Sequence, residues 1–206
     1  MVRGKSSREI DCVSWVPRIS SGALLKGVVK HARGHGFVDY RDVEESPLAP
    51  DQVKVEVKAT GICGSDIHIY HDTINYPIRT PVVMGHEFSG VVVDIGSDFE
   101  DEIELGDRVT CEPSINICGV CPYCRSEYYN LCPQRRVLGY WFHGSFAPYC
   151  SARFVHRLPD SVSFEAGALT ELLSCCVHAV IEQAGVSAGD FVVVVGPGPV
   201  GLLASL

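Results

Sequence analysis

Hydrophobic and polar residues alternate with a period of two in the first two-thirds of the chain. Residues 52–59 read Gln-Val-Lys-Val-Glu-Val-Lys-Ala, which predicts a strand with one buried face. Further strands are predicted at the following segments, which turn-prone glycine, aspartate and serine residues separate: 23–31, 36–43, 82–83, 90–95 and 107–111. No helical period of any length is found before about residue 164. The sequence therefore predicts a mostly β domain with long functional loops.

The pattern changes after Pro159. Ser163 is a plausible N-cap for a helix that continues to residue 184 and ends at Gly185. Residues 191–195 form a continuous apolar run, typical of a strand that is buried on both faces in a parallel sheet. A further helix is predicted to begin at residue 200.

These patterns divide the chain into three parts. Residues 1–21 show no clear periodicity and are expected to form an N-terminal extension. Residues 22–165 are predicted to form the mostly β domain. Residues 166–206 are predicted to be the incomplete start of an α/β domain.

Composition narrows the class of protein. With 46% hydrophobic and 20% charged residues among 206, the chain can build a substantial core. A net charge of −8, without a dense lysine and arginine cluster, argues against nucleic acid as a partner. The longest apolar stretch is too short and too rich in glycine and proline to span a membrane. No signal peptide is recognised, so the ten cysteines predict metal ligands or buried thiols in a soluble cytoplasmic protein.

Four cysteines carry the strongest chemical signal. They are Cys118, Cys121, Cys124 and Cys132, and two C-x2-C steps allow neighbouring thiolates to converge on one tetrahedral ion. Four thiolate ligands leave no open coordination position, so this pattern predicts a structural zinc site. The alternatives are four reduced thiols or an iron–sulfur cluster.

A second group of candidate ligands is spread along the chain. Cys63, His86 and a carboxylate would suit a catalytic zinc ion, which takes three protein ligands and leaves one position open. Asp66 is a candidate for holding the ligating imidazole in one tautomer, or an ordinary turn-stabilising residue. Ser65 and His68 could form a proton relay, or be a turn hydroxyl and a surface imidazole.

A glycine pattern follows the apolar run. Gly196, Gly198 and Gly201 form a G-x-G-x-x-G sequence between a predicted strand and a predicted helix. In this context glycines permit a tight turn and a close approach to the pyrophosphate of a dinucleotide. A coincidental Gly-Pro turn is the alternative, and the acidic residue expected about 20 positions later would lie beyond Leu206.

From about residue 22 onward the chain resembles the zinc-dependent medium-chain dehydrogenase/reductase family of the alcohol dehydrogenase superfamily. The segments that carry the resemblance are 61–68, 85–87, the cysteine lobe 118–132, 106–109 and the glycine pattern. The polyol branch, typified by sorbitol dehydrogenases, is the most similar. The resemblance implies a GroES-like catalytic domain followed by the first segment of a Rossmann domain. Family members are longer, which implies that this chain is truncated at its C-terminus. In the family, the part that is missing here supplies the interface of a homo-oligomer, a dimer or tetramer.

The resemblance also assigns roles to the residues. Cys63 and His86 would bind the catalytic zinc, and the four cysteines of the lobe would bind the structural one. Glu171 takes the place of the third catalytic ligand, as in the polyol branch, and Glu87 is its rival. Ser65 would accept the proton of the alcohol, and His68 would pass it to solvent by way of the cofactor ribose.

The implied reaction is reversible hydride transfer between a secondary alcohol of the polyol class and the cofactor, NAD or NADP. A threonine-type or simple alcohol dehydrogenase is the alternative among enzymes. A truncated, inactive zinc-binding protein is the alternative outside them. The 206-residue chain alone is expected to be inactive, because most of the cofactor-binding domain is missing from it.

Overall fold

A computed structural model describes residues 24–100 and 102–206 of the protein. The expected extension at residues 1–21 lies outside the described residues. The strands are β1 (Leu24–Lys30), β2 (Val38–Glu44), β3 (Val53–Gly61), β4 (Val82–Val83), β5 (Glu87–Ile95), β6 (Arg108–Cys111), β7 (Ser114–Asn116), β8 (Arg136–Val137), β9 (Tyr149–Ala152) and β10 (Val155–Arg157). The α-helices are α1 (Gly64–His71), α2 (Pro122–Arg125), α3 (Phe164–Ala168), α4 (Thr170–Val177) and α5 (Pro199–Leu203). The mostly β fold predicted for the first two-thirds is confirmed.

The strands form antiparallel sheets. The largest sheet has five strands in the order β10-β6-β5-β3-β9, a second has the order β2-β1-β4, and β7 pairs with β8. Burial of alternate residues of β3 explains the predicted period of two, because Val53 and Val55 are fully buried while Lys54 and Glu56, the residues that follow them, are not. These valines join a core that includes Phe88, Val92 and Val109. The core fixes β3 and β5, whose ends carry the candidate ligands.

Helix α1 contradicts the prediction that no helix precedes residue 164. The helix begins after Cys63, where the Asp66 carboxylate accepts a hydrogen bond of 2.9 Å from the Cys63 amide, and ends at Asp72 in the left-handed conformation. Its apolar residues do not mark one face, since Ile69 is buried but Ile67 is exposed. The helix is therefore defined by its ends rather than by periodicity. The short helix α2 was missed as well.

The helical segment after residue 163 is largely as predicted. Ser163 caps α3 by accepting a hydrogen bond of 3.2 Å from the Ala166 amide. The helix is interrupted at Leu169 and continues through α4 into a π-helix, His178–Gln183. Gly185 follows with a φ of +67°, a conformation that favours glycine. Among the described residues, none of the helices has the length and apolar character that a membrane crossing requires.

The predicted strand at residues 191–195 is absent from the described structure. Its backbone pairs with none of the described strands, and Phe191 and Val195 are 94% and 93% exposed. A strand requires a neighbour that satisfies its backbone groups, and the described residues place none there. The division of the chain at residues 165 and 166 stays a prediction.

Candidate metal centres

The four cysteines of the lobe converge around one point. The Sγ atoms of Cys118, Cys121, Cys124 and Cys132 all lie within 4.8 Å of one another, and those of Cys118 and Cys124 are 3.9 Å apart. Ligands of a tetrahedral zinc ion with Zn–S bonds of about 2.3 Å lie about 3.8 Å apart. All nine described cysteines are free thiols, so these four are available as ligands.

Backbone amides point at the sulfur atoms of the lobe. The amides of Cys118, Cys121 and Cys124 donate to the Sγ atoms of Cys132, Cys118 and Cys121, at 3.3–3.4 Å. Amide donors from Val120 and Cys121 lower the pKa of the Cys118 thiol to about 6. These amides therefore favour the thiolate form of Cys118, the form that binds metal, whereas burial raises the pKa of Cys124 to about 12.

A thiol, an imidazole and a carboxylate converge in a second cluster. Ligand atoms of Cys63, His86 and Glu87 lie within 4.8 Å of one another. Cys63 is the N-cap of α1, His86 directly precedes β5, and Glu87 is its first residue. Both His86 and Glu87 are buried. The ends of β3 and β5 bring together residues that the sequence separates by 23 positions.

The imidazole of His86 lies beside the carboxylate of Asp66. The His86 Nδ1 and Asp66 Oδ1 atoms are 3.9 Å apart, and both are buried without a hydrogen-bond partner. Burial lowers the pKa of His86 to about 4 and raises the pKa of Asp66 to about 6. A neutral imidazole is the form that ligates metal. Buried polar atoms without partners cost free energy, and a hydrogen bond between these two groups, which a separation of 3.9 Å does not provide, would remove that cost.

The carboxylate of Glu87 occupies space that a side chain at position 61 would fill. A Cβ atom at Gly61 would lie 2.5 Å from Glu87 Oε2. The Glu87 carbonyl also accepts a hydrogen bond of 3.1 Å from the Thr60 hydroxyl. Gly61, at the end of β3, thus permits the position of Glu87.

Glu171 lies near this cluster but not in it. Its ligand atoms are not among those within 4.8 Å of one another. Burial, and then the charge of Glu87, raise the pKa of Glu171 to about 7. The structure therefore brings Glu87, rather than Glu171, together with Cys63 and His86, contrary to the preference drawn from the resemblance.

Glu171 and His86 line a cleft of about 240 Å³. Arg135 and Tyr140 line the same cleft, and the Tyr140 ring centroid is 5.5 Å from that of His86. No sequence pattern singles out Arg135 or Tyr140. They follow the cysteine lobe in a segment without a recognised motif, so only the fold reveals their position.

The structure does not join the two residues of the predicted relay. Ser65 Oγ is buried without a hydrogen bond that meets ordinary geometry, and the Cys63 thiol and the Tyr140 hydroxyl are its polar neighbours. His68 is exposed, with its Nδ1 3.1 Å from the Thr73 hydroxyl. The relay stays a prediction.

The glycine pattern forms a close turn before α5. Gly196 has a φ of +103°, and a Cβ atom at Gly201 would lie 1.9 Å from the Gly196 carbonyl oxygen. Gly198 is the N-cap of α5. Both the turn conformation and the close approach require glycine, whereas the role of these residues in cofactor binding stays a prediction.

Comparison with known proteins gives the family. Residues 49–160 match the alcohol dehydrogenase GroES-like domain. The chain is 43% identical over 180 residues to D-arabitol-phosphate dehydrogenase of Enterococcus avium, and the alignment covers 86% of this chain and 51% of that protein. It is 46% identical over 183 residues to sorbitol dehydrogenase of Halalkalibacterium halodurans, covering 88% and 52%.

Solved structures agree with this relationship. A Sinorhizobium meliloti 1021 protein described as a zinc-binding dehydrogenase, bound to NADP, matches with a TM-score of 0.79 and 36% identity, covering 88% of this chain and 52% of that one. The chain spans about half the length of the curated relatives it matches. The matched residues 49–160 are more than half of the chain and contain Cys63, His86, Glu87 and the cysteine lobe. The resemblance seen in the motifs is confirmed, and the chain belongs to the alcohol dehydrogenase GroES-like domain family.

Proposed function

We propose that this chain supplies the catalytic domain of a zinc-dependent oxidoreductase that transfers hydride between a secondary alcohol and NAD or NADP. The observation that carries the proposal is the convergence of Cys63, His86 and Glu87 within 4.8 Å. A polyol is the proposed substrate class, because the relatives include a sorbitol dehydrogenase and a D-arabitol-phosphate dehydrogenase.

The donor set of this cluster suits a catalytic zinc ion. Thiolate, imidazole and carboxylate are all zinc ligands, and three of them leave a position open for substrate. Zinc at this position would polarise the substrate oxygen and lower the pKa of the alcohol, and the nicotinamide would accept the hydride. We assign Glu87 as the third ligand, because its carboxylate lies with Cys63 and His86 and that of Glu171 does not.

The surrounding side chains have distinct proposed tasks. Asp66 positions the His86 imidazole from 3.9 Å, and Glu171 offers the cleft a carboxyl group whose pKa of about 7 allows it to donate or accept a hydrogen bond near neutral pH. Ser65 receives the proton of the alcohol. His68, three residues further along α1, would pass that proton to solvent.

The cysteine lobe has a structural role in this proposal. A second zinc ion held by the four cysteines would fix the loop that contains α2 and leads to Arg135 and Tyr140 in the cleft. We also propose that Gly196, Gly198 and Gly201 receive the pyrophosphate of the cofactor. A cytoplasmic location and a homo-oligomeric whole enzyme complete the proposal, the former because the described cysteines are free.

Metal analysis tests the assignment directly. Protein purified without chelator should contain about two zinc ions per chain. His86→Ala should remove one ion, and the lobe should keep the other, because four thiolate ligands remain. One metal per chain in the unaltered protein, or iron in place of zinc, would contradict the proposal.

Activity requires a separate experiment. The longest natural form of the protein should be assayed with sorbitol, xylitol, threonine and ethanol, each with NAD and with NADP. Preference for the two polyols is expected. Preference for threonine or ethanol would favour the alternative dehydrogenases. The 206-residue chain should show no turnover above its zinc-free control, since residues 191–195 are exposed and pair with none of the described strands, whereas a dinucleotide binds at the edge of a parallel sheet.

A further inference from the structure

Two histidine side chains outside both candidate metal centres face each other at the protein surface. Nδ1 of His35 lies 3.1 Å from Nδ1 of His71, their ring centroids are 4.9 Å apart, and both residues are exposed. We propose that this pair is an additional metal site, which binds one divalent first-row transition ion such as Zn2+, Ni2+ or Cu2+. Water would complete the coordination.

The two distances agree with chelation. Two imidazoles bound at about 2.05 Å, with an angle of about 100° at the ion, place their ligating nitrogens about 3.1 Å apart and their ring centres about 5 Å apart. A linear hydrogen bond of the same length between the rings would separate the centres by about 5.4 Å. The observed 4.9 Å is shorter than this value and agrees with the separation expected for two chelating imidazoles, whose rings are tilted by 40° to each other here.

The backbone on each side of the pair is fixed by a buried lysine. The Lys30 side chain is fully buried, and its ammonium group donates to the carbonyl oxygens of Gly34, Gly36 and Tyr70. The Gly36 amide also donates to the Tyr70 carbonyl at 2.8 Å. His35 lies between the two glycines, and His71 follows Tyr70. The same ammonium group thus holds the backbone of both candidate ligands.

A second set of contacts holds the turn against the end of α1. Asp72, the C-cap of the helix, accepts hydrogen bonds from the Gly34 amide at 2.8 Å and from Arg33 Nε at 2.6 Å. The Tyr70 ring packs edge-on against both imidazoles, with centroid distances of 5.2 and 5.1 Å. Because the turn and the helix end are fixed before an ion arrives, binding would require little ordering of the backbone.

The pair is separate from the catalytic cluster. Cys63 precedes α1 and His71 is its last residue, so the length of an eight-residue helix, about 12 Å, separates the two ends. An ion at His35 and His71 would connect the β1–β2 turn to the helix whose other end carries Cys63. Removal of either histidine should leave both zinc centres occupied.

Calorimetric titration of Ni2+ into the zinc-loaded protein tests the site. One Ni2+ ion per chain should bind with micromolar affinity, and His35→Ala and His71→Ala should each weaken it at least tenfold. His178→Ala is the control, because His178 is an exposed histidine on another element, paired with Glu182. Unchanged binding in either pair variant, an equal loss in the control, or binding in the millimolar range only, would overturn the proposal.

Electron paramagnetic resonance of bound Cu2+ gives an independent result. The unaltered protein should show coupling to two imidazole nitrogens, and each single variant should show one at most. His35→Asn and His71→Asn should repeat the result if an alanine variant melts at a lower temperature than the unaltered protein. A two-nitrogen spectrum in any of these variants would rule out the pair as ligands.

Discussion

Replacing Gly61 with alanine tests whether Glu87 is a metal ligand. The added Cβ atom would lie 2.5 Å from Glu87 Oε2 and 3.3 Å from Glu87 Cβ. Ordinary van der Waals contact begins at 3.4 Å, so the carboxylate oxygen must move by the difference, about 0.9 Å, whereas metal–ligand distances are held within about 0.2 Å. The variant should therefore disturb metal binding more than folding.

The expected loss follows from this displacement. Disturbing a group that orients a metal ligand typically lowers affinity about 10–100-fold, which corresponds to about 1.4–2.7 kcal/mol. The cost to the metal-free fold should be about 1 kcal/mol, because the closest atom is the end of a side chain that can rotate away. Zinc bound to the four cysteines should not be affected.

The measurement is zinc affinity by competition with a chromophoric chelator. Gly64→Ala is the matched control, because a Cβ atom there has no neighbour within 4 Å and Gly64 is the first residue of the same helix that begins after Cys63. Zinc stoichiometry reports the loss of metal binding, and denaturant unfolding of the metal-free proteins reports the cost to the fold. If Gly61→Ala bound both zinc ions as tightly as Gly64→Ala, Glu87 would not be a ligand in the position that the structure shows.

Three further predictions concern other parts of the molecule. Gly90→Ala should cost about 3 kcal/mol in urea unfolding, because its Cβ would lie 2.1 Å from the backbone oxygen of Glu56; a loss below about 1 kcal/mol would contradict the packing of β3 on β5. Cys121→Ser should remove one zinc ion and lower the melting temperature; retention of both ions would refute the structural assignment. From pH 4.5 to 7 the metal-free protein should lose about 2 kcal/mol more stability than Glu171→Gln, because the folded state, with the pKa of Glu171 raised to about 7, holds that proton more tightly than the unfolded state. Equal changes of the two proteins in urea unfolding across this range would argue against it.

The sequence predicted the sheets better than the short helices. Strand β3 could be predicted from the sequence because one of its faces is buried, and burial of alternate residues gives a hydrophobic pattern with a period of two. Helix α1 was not visible, because it buries the polar Asp66 at the candidate metal site and exposes Ile67 to solvent. The residues of such a helix serve the candidate metal site rather than packing in the core, so the helix has no hydrophobic period by which it could be predicted.

The candidate site was predictable in its ligands but not in its surroundings. Ligand types and spacing selected Cys63 and His86, whereas the choice between Glu87 and Glu171 required coordinates. Arg135 and Tyr140 reach the cleft only through the fold of the segment after the cysteine lobe. Residues 191–195 show the opposite case, since their apolar pattern is clear but a strand depends on a partner that the described residues do not supply.

The burial of Lys30 has a consequence for chemical labelling of the protein. Amine-directed reagents attack an unprotonated, accessible amine, and this ammonium group is enclosed by three carbonyl oxygens. Lys26 and Lys58, which are exposed or partly exposed on the same domain, should be acylated first. The rate at which Lys30 is acylated, read by mass spectrometry, therefore reports how often the turn between β1 and β2 separates from the end of α1.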